Sequence, residues 1–168
     1  MTSLIILLDP FLFSGTIRTS LDFDSSFDDE VIWHALELVG LKTFISQQDQ
    51  KLDTPVTQNG ANYSVGQRQL LCLAAAILRQ PKILLLDEAT ASIDVGSDVH
   101  IQQTMRANCP RATILSVMHR LGDRIIEECD KVLVMEQGVA VEFASPRELL
   151  ARPGSMFGRL MDAAKSNS

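Results

Sequence analysis

The segment Lys82-Ile83-Leu84-Leu85-Leu86-Asp87-Glu88 constrains the chain more than any other stretch. A short apolar run ends abruptly in two acids. A run of this length, apolar on both faces, reads as a buried parallel-sheet strand that needs cover and pairing. Open α/β sheets build their sites at the C-terminal ends of such strands. Asp87 is then placed to hold Mg²⁺ through water, and Glu88 to polarise an attacking water. Two acids after an apolar strand also occur as a plain strand exit, so the pair alone leaves both readings open.

The surrounding pattern alternates strand and helix. Leu4 to Leu8 is a short apolar strand candidate. Ser25-Ser26-Phe27-Asp28-Asp29 reads as a helix entry, with acids where the helix dipole favours them. Val31, Ala35, Leu38 and Val39 follow at helical spacing, and Gly40 ends that helix. A second short helix fits Leu41 to Ser46, and residues 49–63 are polar and turn-rich. A long helix is expected from Val65 to Arg79, stopped by Pro81. Another fits Val95 to Ala107. Ala112 to Val117 reads as a second buried strand, followed by a short helix over Asp123 to Cys129. Lys131 to Met135 and Val139 to Phe143 flank Gln137-Gly138 as a hairpin. Ser145-Pro146-Arg147-Glu148 is a capping box with proline at the first helical position. The expected fold is α/β: a mostly parallel sheet with flanking helices, plus a C-terminal hairpin and helices.

Composition excludes several classes. With 46% hydrophobic and 21% charged residues, the 168-residue chain is not disordered. A net charge of −6 argues against a nucleic-acid binder working through a broad basic surface. Cys72, Cys109 and Cys129 lie far apart without a C-x-x-C pair, against a disulfide framework or zinc site and in favour of a reducing compartment. The longest apolar run, Leu70 to Leu78, has nine residues, whereas a membrane span needs roughly 20. The apolar N-terminus lacks a basic n-region and is cut short by Asp9-Pro10, unlike a signal peptide.

A second constellation is Asn62-Tyr63-Ser64-Val65-Gly66-Gln67-Arg68-Gln69. Ser64-x-x-Gln67 is a capping box before an apolar helix. A capped start aims backbone N–H groups and a positive dipole end outward. Gly66 lets a ligand approach the backbone, and Ser64 adds a hydroxyl. This makes a small phosphate-binding surface, though an ordinary capped helix has the same pattern. His119 follows the Ala112–Val117 strand, at the sheet edge expected for Asp87 and Glu88. Its imidazole can donate to a phosphate oxygen near neutrality.

In order, the chain reads Y-S-V-G-Q-R-Q-L, L-L-L-D-E-A-T-A-S-I-D, an apolar strand, and M-H-R. This strongly resembles the nucleotide-binding domain of ABC transporters. The resemblance covers about residues 5 to 163. It makes Ser64, Val65, Gly66 and Gln67 the signature motif and Ile83 to Asp87 Walker B. Glu88 becomes the catalytic glutamate, Ser92-Ile93-Asp94 the D-loop, and His119 the switch histidine. Asp9-Pro10-Phe11-Leu12-Phe13-Ser14-Gly15-Thr16-Ile17-Arg18, then Leu21-Asp22, is similar to the segment after the Q-loop in the multidrug-resistance-associated branch, subfamily C. Glu88 with Ala89-Thr90-Ala91-Ser92 is similar to the second nucleotide-binding domain of that branch.

The departures carry equal weight. No G-x-x-x-x-G-K-[ST] phosphate loop occurs; none of Lys42, Lys51, Lys82, Lys131 and Lys165 follows a glycine. Leu8 stands at the Q-loop glutamine position, and Ala75 stands where the family commonly has arginine. The expectation is a C-terminal fragment lacking Walker A, with residues 1–163 a partial domain. Within it, about 14–80 form a helical subdomain and 81–163 run from Walker B onward, with 164–168 a disordered tail.

The resemblance implies ATP and Mg²⁺ as ligands. It implies head-to-tail pairing with another nucleotide-binding domain, transmembrane domains as further partners, and a place at the cytoplasmic face of a membrane. No nucleic-acid partner and no membrane span in the chain are expected; alone, the chain is expected to be cytoplasmic. ATPase activity driving export belongs to the family, whereas the isolated chain is expected to be inactive, marginal in stability and prone to associate. The alternative is a non-enzymatic module that pairs with an intact domain through the signature face. A third possibility, a chromosome-maintenance ATPase, is disfavoured by the R-x-x-L-D element and by Glu142-Phe143-Ala144-Ser145-Pro146.

Overall fold

The computed structural model describes residues 4–7, 12–87, 104–117 and 129–166. These fall in two compact units, Met1–Val117 and Met118–Ser168. In the first, the elements are β1 (Leu4–Leu7), β2 (Gly15–Thr16), α1 (Ile17–Leu21), α2 (Asp29–Leu38), α3 (Lys42–Ser46), β3 (Pro55–Val56), α4 (Val65–Arg79), β4 (Ile83–Asp87) and β5 (Thr113–Val117). Short 3₁₀ turns occupy Lys51–Asp53 and Gln58–Gly60, and 104–108 is helical.

The apolar run behaves as its composition requires. β4 is the middle strand of a parallel sheet in the order β1-β4-β5. Leu4 to Leu7 pair with Ile83 to Leu86 on one side, and Thr113 to Val117 with Ile83 to Asp87 on the other. Paired on both sides and clustered with buried residues of the helices, Leu84 has no exposed surface. β5 corrects an expectation. It was expected to be buried, yet Leu115 and Val117 are each more than half exposed. Among the described strands β5 pairs only with β4, so it is an edge strand with little cover.

The helices pack into one core. Ile32, Ala35, Leu36 and Val39 are buried, the i, i+3, i+4, i+7 stripe of an amphipathic helix. The stripe is turned by one residue from the expected one, and Val31 is exposed. Asp28 precedes the helix in cap geometry, but its side chain makes no cap bond. Asp29 instead accepts a bidentate pair from Arg18, which also reaches Asp53 at 3.3 Å. Arg18 thus ties α1, α2 and the 51–53 turn, and its guanidinium holds the Asp29 carboxyl below its ordinary range. α1 was not expected from the sequence. Its Thr16 cap is answered by Thr19, which lacks the usual Glu or Gln, and only Ile17 and Leu21 mark its buried face. Asp22, buried at its end, accepts the N–H groups of Ser26 (3.0 Å) and Phe27 (2.9 Å).

α4 starts and stops where expected. Gln80, left-handed at φ +46°, closes it. Its side-chain amide donates to the carbonyls of Ile77 (2.8 Å) and Asn108 (2.6 Å) before Pro81 takes the chain away. The chain crosses residue 80 without leaving the core: buried residues of α4 and Leu84 of β4 share one cluster.

The second unit contains β6 (Val132–Glu136), β7 (Val139–Ala144), α5 (Pro146–Ala151) and α6 (Met156–Ser166). β6 and β7 are the expected hairpin. Gln137 (φ +49°) and Gly138 (φ +81°) turn it with two left-handed residues, the twist that matches a two-residue loop. One face joins Val134 and Ala144 to Leu149, Phe157 and Met161 in a small core. The other leaves Leu133, Met135, Val141 and Phe143 exposed. The Ser145 capping box forms as expected, with Ser145 N–H donating to Glu148 at 3.0 Å. Residues 164–166, expected to be disordered, are helical, because α6 is anchored upstream by Phe157 and Met161.

Glu142 supplies that anchor's polar half. It accepts from Met156 N (3.0 Å), Phe157 N (2.9 Å) and Ser155 Oγ (3.1 Å), satisfying N–H groups that a helix start leaves open. These bonds, Phe157's first, pull its carboxyl below the ordinary glutamate value. A depressed folded value means that the stabilisation is complete above about pH 4.3, the ordinary unfolded value, and is lost as pH falls through the folded one. The amide protection of residues 129–166 is therefore expected to fall below about pH 4.3. Glu142→Gln should reduce that dependence, leaving the contribution of Glu148, which is also depressed. An unchanged slope in hydrogen-exchange measurements would refute this.

Candidate functional site

Ser64 sits just outside α4 in extended backbone (φ −62°, ψ 160°). Its Oγ accepts from Gln67 N at 3.1 Å, and Gln67 Oε1 accepts from Ser64 N at 2.9 Å. This reciprocal box uses the Gln67 amide and the Ser64 amide. The Ser64 hydroxyl proton and the Val65 and Gly66 N–H groups find no acceptor among the described residues. Ser64 and Val65 are exposed. Three donors without an acceptor among the described residues therefore lie at the positive end of a fifteen-residue helix. This set fits an anionic oxygen such as a phosphate, and at Gly66 no side chain obstructs close approach.

The segment before Ser64 is held on both sides. Tyr63 is buried, its ring edge-on to Phe44 at 6.3 Å, and burial pushes its phenol up. Arg68 Nη1 donates to Tyr63 O at 3.1 Å. The Arg68 stem lies over Gly60 (φ +66°), where an added Cβ would come 2.8 Å from Cδ. Spacing alone assigns no role to Asn62 or Arg68; their only signal in the sequence is their place next to Ser64 and Gln67. Burial also pushes the Cys72 thiol, in the same helix, up to about 11, which keeps it protonated.

The remaining site residues divide. Asp87 ends β4, in register with Val117 of β5, so the backbone brings Asp87 and the strand that precedes His119 in sequence to the same end of the sheet. Glu88, Ser92, Asp94, His119 and Leu8 lie outside the described residues, as do most of the expected 95–107 helix and residues 123–128. Among the described residues no three His, Cys, Asp or Glu side chains gather as a metal site. No described helix is long and apolar enough to cross a membrane.

Comparison with known proteins agrees with these features. The family model for "ABC transporter" matches residues 8–91. Human "ATP-binding cassette sub-family C member 3" is 49% identical over 159 residues, covering 95% of this chain and 10% of that protein. Rat "ATP-binding cassette sub-family C member 2" is 45% identical over 163 residues, covering 97% and 10%. "ABC transporter C family member 6" of Arabidopsis thaliana is 43% identical over 157 residues, covering 94% and 11%. The chain thus spans about a tenth of the length of these relatives. The solved structure of a bacterial Atm1-family ABC exporter with ATP bound superimposes with a TM-score of 0.83 at 31% identity, covering 97% of this chain and 28% of that one. By motif order, sheet topology and similarity, this chain, an α/β partial P-loop NTPase domain, belongs to the ABC transporter family, with its similarity to subfamily C.

Proposed function

We propose that the chain is part of a second nucleotide-binding domain of a subfamily C exporter and contributes the signature face of an ATP site. One observation carries the signature-face role: the donors at Ser64, Val65 and Gly66, which find no acceptor among the described residues, at the dipole end of a capped helix. In a head-to-tail pair, Ser64–Gln67 would grip the γ-phosphate of ATP bound to the other domain. Asp87 would hold Mg²⁺ through water, Glu88 would orient the attacking water, and His119 would contact the phosphate. Ser92 and Asp94 would form the D-loop, and Leu8 would leave the Q-loop position without its amide. Residues 14–80 would act as the helical subdomain and 81–163 as the Walker B part. Transmembrane domains would be the other partners, at the cytoplasmic face of a membrane.

The 168 residues carry no lysine-bearing phosphate loop, which favours a second reading. The chain would then be an inactive module that modulates an intact domain through the same face.

The test is ATP turnover in a mixture of the chain with an intact subfamily C nucleotide-binding domain. Ser64→Ala removes a donor to a charged oxygen and is expected to lower turnover by about 10- to 100-fold. Glu88→Gln in parallel separates action in trans from a site of the chain's own, since only the latter needs Glu88. Turnover indifferent to Ser64→Ala would refute the assignment.

A further inference from the structure

The stretch leading into Ser64 is a loop with little regular backbone pairing, yet its donors have to stay aligned. β3 ends at Val56, and the 3₁₀ turn Gln58–Gly60 follows, with Asn59 (φ +57°) and Gly60 (φ +66°) both left-handed. Backbone bonds from Gly60 N to Thr57 O (2.8 Å), Ala61 N to Gln58 O (3.3 Å) and Tyr63 N to Gly60 O (2.9 Å) shape the turn itself, and side chains tie it back to the end of β3. One side chain makes most of the polar contacts. Asn62 Oδ1 accepts from Thr57 N (3.1 Å) and Thr57 Oγ1 (3.0 Å), and Asn62 Nδ2 donates to Pro55 O (2.9 Å). Its own N–H donates to Thr57 Oγ1 at 3.2 Å. Both ends of the amide are used, so its orientation is set by partners of opposite kind. These bonds close the loop from Pro55 to Asn62, two residues before Ser64.

We propose that Asn62 is a positioning residue for the phosphate donors at Ser64, Val65 and Gly66, fixing the chain direction into α4 by closing the 55–62 loop. The functional half of this rests on the signature-face reading; the geometric half does not. Asn62 is exposed and contributes little to the core, so removing it should loosen the cap before it unfolds the domain. Tyr63, buried beside it, keeps the segment attached. The consequence falls on alignment: donors that are present but wander bind an anion less tightly.

The experiment has two readouts on the full chain. The first is amide hydrogen exchange. Asn62→Ala is expected to speed exchange at Ser64 and Gln67, whose N–H groups form the capping box, by about fivefold or more, the worth of a lost hydrogen bond. Leu71 to Leu78 should keep their protection. Asn62→Asp retains the Oδ1 acceptor for Thr57 and should recover most of the difference. The second is the ATP concentration giving half-maximal turnover in the mixture with an intact domain. Asn62→Ala should raise it about fivefold, with the maximal rate per folded chain much less affected. A purely structural role would lower the amount of active chain without moving that concentration. Unchanged exchange at Ser64 and Gln67, or exchange raised equally along α4, would overturn the proposal. Faster exchange there, with a half-maximal concentration indifferent to Ser64→Ala, would support the positioning role and refute the signature-face reading instead.

Discussion

Given ATP and Mg²⁺ by itself, the chain is expected to turn nucleotide over at least about a hundredfold more slowly than in the mixture with an intact domain. The magnitude follows from what a single preorganised donor is worth toward developing charge, about 10²–10³-fold. A phosphate loop supplies several such N–H donors and a lysine. None of the five lysines of this chain follows a glycine. What remains is a strand delivering Asp87 and a helix start with three donors, and in the resembled arrangement these act on different nucleotides. The measurement is phosphate release by the purified chain with and without partner. Turnover by the chain alone that Glu88→Gln abolishes would overturn the expectation and give the chain a complete site.

Phe157→Ala should produce the largest loss of structure. Among the described residues, the second unit's buried core holds Val134, Ala144, Leu149, Phe157 and Met161, and Phe157 is the largest of them. Truncating a buried phenylalanine costs about 3–5 kcal/mol. That compares with about 5–15 kcal/mol for the whole stability of an ordinary domain. Phe157 also closes the start of α6, where its N–H donates to Glu142. Losing the ring should therefore release the Glu142 bonds as well. Hydrogen exchange is expected to show residues 129–166 losing protection while Leu36, Ile45 and Leu71 of the other unit keep theirs. Uniform protection across the chain would contradict a separate core at this end.

The elements legible in the sequence share a local signal. The 65–79 helix was readable because Ser64 and Gln67 cap it and Pro81 follows its end. The hairpin was readable because Gln137-Gly138 sits between two apolar stretches, and the 83–87 strand because four apolar residues end in acids. α1 was not legible: its capping box uses Thr19, and two apolar residues four apart are too few to show a period. In α2 the spacing points to Val31 while the structure buries Ile32, because the two are apolar neighbours and only tertiary packing selects between them. In the site, Ser64–Gln67 were found from the box, while Asn62 and Arg68 were not. Their partners, Pro55, Thr57, Gly60 and Tyr63, are chosen by how the loop folds back and not by a fixed spacing.

By itself, then, the sequence determined the family, the α/β class and the residues that could carry chemistry, because caps, turns and strand exits are written in neighbouring residues. The tertiary structure decided which strand is central and which lies at an edge. It also decided which face of α2 is buried, and which side chains hold Ser64 in place. Those outcomes depend on burial and on hydrogen bonds between residues far apart in the chain. An apolar residue such as Leu115 carries the same hydrophobicity as Leu84, and only the presence or absence of a covering neighbour separates them.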